Sequence, residues 1–255
     1  MVLGKLGKHH RAPLEGIFPL PGMDRMKCTF NRDESWSSML PTATPSGLHE
    51  FTAAVIARYA KQRARLVDLG AGPGAMAERT AGLGCEVVAV DLDPTVYQGA
   101  SPFVALDFNR PSFADDLGLE AFDLVVAVEV IEHVENPISF LRNVARLLAK
   151  GGIAVITTPN IDSLAARVKF LLAGKLRMMD ERSDPTHISP IFFDLLYRQF
   201  LPRAGLQVRE HLLFPPNGHQ LTRMPIALAM KLASAAFSSA AILGDHHVFV
   251  LESRR

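Results

Sequence analysis

Cysteine is almost missing from this 255-residue chain: Cys28 and Cys85 are the only two, and neither lies in a CxxC pair. That excludes a disulfide framework and fits a reducing compartment, so a cytoplasmic setting is expected. An excess of one charge is missing too. Lys and Arg number 27 against 26 Asp and Glu, and the basic residues are scattered rather than gathered in a stripe. Nucleic acid is therefore not expected as a partner. The first residues carry Lys5, Lys8 and Arg11, but Gly and Pro break every apolar run before it reaches signal-peptide length. Internal repeats and low-complexity tracts are absent as well.

What is present is a hydrophobic content of 48%, enough at this length to bury a full core. Residues 1–46 hold Pro13, Pro19, Pro21, Pro41 and Pro45 with few periodic segments, which reads as a loose N-terminal arm. From residue 47 the pattern is regular. GLHEFTAAVIARYAK places Leu48, Phe51, Ala54, Val55 and Tyr59 at helical spacing, and a strand-like ARLVDL follows. AMAERTAGL then reads as a helix closed by Gly82 and Gly84, and CEVVAVD as a buried strand. PFVALD, FDLVVAV and GIAVITTP supply three more apolar runs. Between the last two, NPISFLRNVARLLAKGG has Asn136 as N-cap, Pro137 in the first turn and glycines after the end. LQVREHLLF and HHVFVLES look like two further strands. Strands alternating with helices predict an α/β fold with a mostly parallel sheet covered on both faces.

The first strand runs into LVDLGAGPG, where Gly70, Gly72 and Gly74 alternate and Ala75 follows. This satisfies both GxGxG and the permissive dinucleotide pattern GxGxxA, and a turn with no ligand is the plain alternative. A backbone without Cβ atoms lets a ligand approach closely at the carboxyl edge of the sheet. Asp91, 21 residues beyond Gly70 and at the end of VVAVD, can accept from both ribose hydroxyls of either cofactor. Two features favour a cationic ligand over a pyrophosphate: Asp68 puts a carboxylate at the strand end, and Pro73 removes one N–H from the turn. The third is FDLVVAVEVIEHVENP, which places a strand, then Glu129, Glu132 and His133, then a helix start.

Through VDLGAGPG, VVAVDLDP, VALDF, FDLVVAVEVIEHVENP and LLAKGGIAVITTPN, in that order, residues 47–213 resemble the class I S-adenosylmethionine-dependent methyltransferases. EVIEHVENP and DPTHISPIFFDLL are similar to the ubiquinone-biosynthesis O-methyltransferases and to related methyltransferases of glycan and natural-product clusters. The resemblance implies a Rossmann-like seven-stranded sheet with an antiparallel last strand over residues 47–255. It places substrate-side insertions at about residues 160–200 and 215–245 of that domain. Asp68, Gly70, Gly72 and Gly74 would line the methionine end of S-adenosylmethionine, Asp91 would hold the ribose, Asp107 the adenine amine, and Val128 would lie against the cofactor. The implied acceptor is a small-molecule, glycan-linked or lipid-linked hydroxyl. An NAD(P)-dependent oxidoreductase is the alternative.

A phenol near pKa 10 facing a histidine near 6.5 gives up its proton uphill by about 3.5 units, roughly 5 kcal/mol. His133 and His187 are the two candidate bases. The resemblance associates Glu129, Glu132 and His133 with a divalent cation such as Mg²⁺; alternatively Glu132 and His133 merely cap the next helix. His187 has its own plain alternative, a solvated residue ahead of a helix capped by Ser189. His211, His219, His246 and His247 show no ligand spacing. Residues 224–243, MPIALAMKLASAAFSSAAIL, read as a helix that covers the core, forms a homodimer surface or lies at a membrane interface.

Overall fold

The computed structural model describes residues 44–181, 183–216 and 243–254. Most of the expected N-terminal arm, and the stretch 224–243 apart from Leu243, lie outside the described residues. No described helix is long and apolar enough to cross a membrane.

In chain order the elements are α1 (Leu48–Ala57), β1 (Arg65–Leu69), α2 (Ala75–Gly82), β2 (Glu86–Asp91), β3 (Phe103–Ala105), α3 (Ala114–Leu117) and β4 (Phe122–Ala127). They continue with a 3-10 turn (Ile131–His133), α4 (Pro137–Leu147), β5 (Leu148–Pro159), α5 (Leu164–Ala173) and α6 (Phe193–Leu195). A π turn (Leu196–Phe200), α7 (Leu201–Ala204), β6 (Leu206–Phe214) and β7 (His246–Ser253) complete them. The seven strands form one sheet in the order β3-β2-β1-β4-β5-β7-β6. β1 to β5 pair in parallel, and β7 is antiparallel to both of its neighbours. This is the seven-stranded, Rossmann-like sheet with a reversed last strand that the sequence implied.

Local chemistry accounts for the helix starts. Asn136 caps α4 by accepting from the Ser139 amide at 3.0 Å with Pro137 behind it, and Ser163 caps α5 through the Ala166 amide at 3.2 Å. The end of α4 departs from expectation. LLAKGG is not a helix tail leading to glycines, because Leu148 already belongs to β5, and the glycines sit at a register shift opposite Phe122 and Leu124. The α1 face is also turned from the expected one: Leu48, His49, Thr52, Ala53, Val55 and Ile56 are buried and Ala54 is exposed. α1 and α2 are tied by Arg79, 4% exposed, whose guanidinium meets Glu50 Oε1 at 2.5 Å.

Alternation along each strand splits the core into two layers. Val67 and Leu69 of β1, Val125 and Ala127 of β4, and Phe249 and Leu251 of β7 pack with Phe140, Leu141 and Val144 of α4. Leu66, Leu124, Val126, Val128, Val248 and Val250 face the other way, toward Leu48 and Ile56 of α1 and Met76 of α2. By the same alternation Asp68 and His246 belong to the α1/α2 face.

Candidate functional site

Parallel strands leave their C-terminal ends at one edge of the sheet, and β7, running the other way, brings its first residue there: His246 pairs with Pro159. A cavity of about 400 Å³ opens at this edge. Asp68, Gly70, Gly72, Val128, Glu129, His133 and His187 line it. Of the other expected site residues, Gly74, Asp91, Asp107 and Glu132 stand outside the cavity wall.

The three glycines have three different reasons. A Cβ on Gly70 would come within 2.4 Å of Val130 Cγ2, and one on Gly74 within 2.9 Å of Tyr97 and 3.1 Å of Gly99. Both are therefore held to glycine by the protein's own packing, with φ of 78° and 102°. Only Gly72 faces open space. Its amide donates to Asp91 Oδ2 at 2.7 Å, while Asp91 Oδ1 accepts from the Leu92 amide at 2.7 Å, so Asp91 braces the turn. Asp107 Oδ1 accepts from the Asn109 amide at 2.8 Å.

Asp68 is 1% exposed and its Oδ2 has no hydrogen-bond partner. Burial, with Asp91 adding repulsion, raises its carboxyl to about 7 even though the Ala77 amide hydrogen bond opposes the shift. A buried, unsatisfied acceptor on a cavity wall is a place where a ligand donor or cation gains most.

After β4 the expected trio separates. Glu129 has φ 54°, a left-handed backbone, and its side chain is engaged across the sheet edge. Its amide donates to Thr157 Oγ1 at 3.0 Å, Thr157 Oγ1 donates to Glu129 Oε1 at 2.8 Å, and Oε2 lies 3.2 Å from His246 Nε2. Glu132 is 1% exposed; its Oε2 accepts from Thr158 Oγ1 at 3.1 Å and Oε1 has no partner. Burial, with repulsion from Glu129 next, pushes the Glu132 carboxyl well above the ordinary range. Glu132 converges with His133 and His187, not with Glu129: one potential donor atom from each of the three lies within 4.8 Å of the others. The His133 and His187 rings meet edge to face with centroids 4.6 Å apart. Burial, reinforced by His187, lowers the His133 pKa.

Neither plain alternative for these histidines describes the structure. Asn136, not Glu132 or His133, caps α4, and Ser189 caps no helix, its hydroxyl donating instead to the Val134 carbonyl at 2.6 Å. His187 is half-buried on the cavity wall, with Nδ1 2.7 Å from the Met178 carbonyl. Two cavity histidines escaped the sequence reading. His49 reaches the wall from α1, with Nδ1 unpartnered and its pKa lowered to about 4, chiefly by burial and then by Arg79. His246 is 1% exposed, and neither ring nitrogen makes an aligned hydrogen bond. The alternation of HHVFV, with its first residue at a strand start, was the one available signal.

The reversed seventh strand, the glycine turn after β1 and a cavity at the carboxyl edge define a Rossmann-like protein of the class I methyltransferase type. Residues 46–211, more than half of the chain, match a family model described as a methyltransferase domain, and the chain belongs to that S-adenosylmethionine-dependent family. It is 41% identical over 103 residues to a ubiquinone biosynthesis O-methyltransferase of Caulobacter sp. (strain K31), covering 38% of this chain and 41% of that one. Against the protein so named from Xanthomonas oryzae pv. oryzae (strain PXO99A) it is 32% identical over 157 residues, 58% of this chain and 64% of the other. The chain thus spans less than two thirds of the length of either relative. Among solved structures, a putative methyltransferase from Bacillus halodurans C-125 superposes with TM-score 0.55 at 19% identity, over 80% of this chain and 99% of that one. Phosphoethanolamine N-methyltransferase 2 of Haemonchus contortus, in complex with S-adenosyl-L-methionine, gives 0.53 at 16% identity, over 81% and 53%. These two likenesses concern the fold alone. Nothing among these matches favours the nicotinamide-dependent alternative.

Proposed function

We propose that the chain transfers the methyl group of S-adenosylmethionine to a hydroxyl of a small-molecule, glycan-linked or lipid-linked acceptor. The observation that carries this reading is one cavity holding a buried carboxyl, Asp68, with one oxygen unpartnered, at the glycine turn, with two imidazoles, His133 and His187, on its wall. When bound, the cofactor supplies an electrophilic methyl on a positively charged sulfur. The residues present fit it. Gly72 leaves room for a ligand, Val128 offers an apolar wall, and Asp68 gains from a cation what it lacks in the folded chain. Asp91 keeps spare lone pairs for ribose hydroxyls while bracing the turn, and Asp107 is assigned to the adenine amine on the resemblance alone.

The chain's own task is alignment in a water-poor pocket and removal of the acceptor's proton. His133 takes that proton, with His187 against its edge. The divalent cation implied by the resemblance does not fit as implied, because Glu129 is engaged by Thr157 and His246 and lies apart from Glu132 and His133. No step is assigned to a cation. Excess chelator is accordingly expected to leave turnover intact; loss of turnover restored by added Mg²⁺ would reverse that assignment.

The first test is titration of the purified chain with S-adenosylhomocysteine and with NAD(H). Micromolar binding of the former is expected, and binding of the nicotinamide alone would overturn the reading. A screen of phenols, sugars and lipid-linked alcohols for methyl transfer then identifies the acceptor. Contact of residues 224–243 with a membrane surface is tested by co-sedimentation with vesicles.

A further inference from the structure

We propose that Thr186, backed by Asp184, is a positioning residue that fixes the tautomer of His133 and leaves Nε2 as the free acceptor of a ring lining the cavity. The proposal deepens the reading of His133 as the group that takes the acceptor's proton.

Two oxygens of one residue surround His133 Nδ1. Thr186 Oγ1 is 2.8 Å away and the Thr186 carbonyl oxygen 3.2 Å away. A carbonyl can only accept. The Thr186 hydroxyl has a single hydrogen, and Asp184 Oδ1, at 2.5 Å, is the stronger acceptor for it. The hydroxyl therefore meets Nδ1 with a lone pair, and both neighbours of Nδ1 call for an N–H there. A neutral imidazole holding its hydrogen on Nδ1 carries its only lone pair on Nε2. Asp184 stays ionised in this arrangement, since the Thr186 hydroxyl and the Thr186 amide, 2.8 Å from the same Oδ1, hold its carboxyl below the ordinary range.

When His133 gains a proton on Nε2, the new charge is shared through Nδ1–H and the threonine hydroxyl toward the Asp184 carboxylate. This is the logic of a carboxylate orienting a histidine, with one hydroxyl inserted between them. His187 obeys the same constraint by another route, because its Nδ1 faces the Met178 carbonyl at 2.7 Å. The short sequence Asp184-Pro185-Thr186-His187 thus supplies both the second imidazole and the device that orients the first.

Holding the loop in place is a separate job done by other groups. The amides of Ile188 and Ser189 donate to the Glu132 carbonyl at 3.0 and 2.9 Å, and the Ser189 hydroxyl donates to the Val134 carbonyl at 2.6 Å. Loss of the Thr186 hydroxyl should leave these fastenings whole, which separates orientation of His133 from support of the loop.

The test is imidazole ¹⁵N–¹H NMR of the ligand-free chain, at a pH above the range in which its histidines protonate. In the unmodified chain His133 is expected as the Nδ1–H form. In Thr186→Val the ratio of that form to the Nε2–H form should fall about tenfold, the loss of one hydrogen bond from Nδ1–H to a hydroxyl oxygen. Thr186→Ser should restore it, and Asp184→Ala should lower it by less than Thr186→Val does. S-adenosylhomocysteine affinity should stay within about twofold in Thr186→Val and Thr186→Ser, since Thr186 does not line the cavity. An unchanged tautomer in Thr186→Val would overturn the proposal, as would a shift in Thr186→Ser equal to that in Thr186→Val. Should Thr186→Val not fold, an unchanged ratio in Asp184→Ala overturns it and a lowered one supports it. The measurement needs no acceptor, so its failure is distinct from that of the hydroxyl-transfer reading, which would show as no methyl transfer across the acceptor screen.

Discussion

His246 and His247 are neighbours on β7, yet one sheet separates two different environments. His246 opens on the cavity beside Glu129. His247 is sealed on the other face, its Nδ1 2.9 Å from His211 Nε2, amid the rings of Phe193 and Phe249. Burial lowers the pKa of His211 to about 4 and that of His247 well below the ordinary value. The same residue type serves as cavity lining on one face and as a hydrogen-bonded aromatic core on the other, and alternation alone makes the choice.

The largest effect expected from this difference is acid sensitivity. Between about pH 6.5 and 4 the unfolded chain binds protons at His211 and His247 that the folded chain refuses, so stability falls as pH is lowered through that window. For His211 alone the loss is roughly 3 kcal/mol, and His247 adds in the same direction. Denaturant unfolding at a series of pH values measures it. The double variant His211→Phe, His247→Phe removes both partners of one hydrogen bond together and should be close to neutral at pH 7 while flattening the acid limb. The remainder combines His49 and His133, whose pKa values are also lowered, with Asp68 and Glu132, whose raised carboxyls act in the opposite direction. An acid limb unchanged in the double variant would erase the proposed difference between the faces.

Next in size is His247→Ala, expected to cost about 3 kcal/mol, because it opens a hole among packed rings and strands His211 without its partner. At the glycine turn that it braces, Asp91→Ala should weaken S-adenosylhomocysteine binding about tenfold, roughly 1.4 kcal/mol, by calorimetry on a folded variant. His246→Ala should be smallest in stability, about 1 kcal/mol, since it enlarges a cavity already present and breaks no aligned hydrogen bond. Equal thermal shifts for His246→Ala and His247→Ala would show that both rings are packing residues alike.

Much of this was legible beforehand. The apolar runs of β1, β2 and β4, the Asn136-Pro137 start of α4 and the carboxylates at the ends of β1 and β2 announce themselves through composition and spacing. Three things do not. Helix α4 passes into β5 with no linker, so Leu148 could not be assigned by periodicity. The positive φ of Glu129 is signalled by no glycine or asparagine, yet it decides that Glu129 joins His246 rather than Glu132 and His133. The placement of His246 opposite Pro159 and of His49 on the cavity wall are tertiary facts, set by strand register and by the rotation of α1.

The position of β7 also bears on how the fold is reached during synthesis. Among the described residues β6 has no partner in the sheet except β7, and β7 follows β6 in the chain although it lies between β5 and β6. Until residues 246–253 leave the ribosome, β6 must wait unpaired, while β1 to β5 can already assemble. The insertion of β7 pairs it with β5, as at Ile153 and Glu252, the slow, non-local kind of step during which an exposed strand edge invites association with other molecules. Released chains truncated before residue 246 should therefore expose β6 to protease and to chaperones, and chains that include residues 246–253 should not.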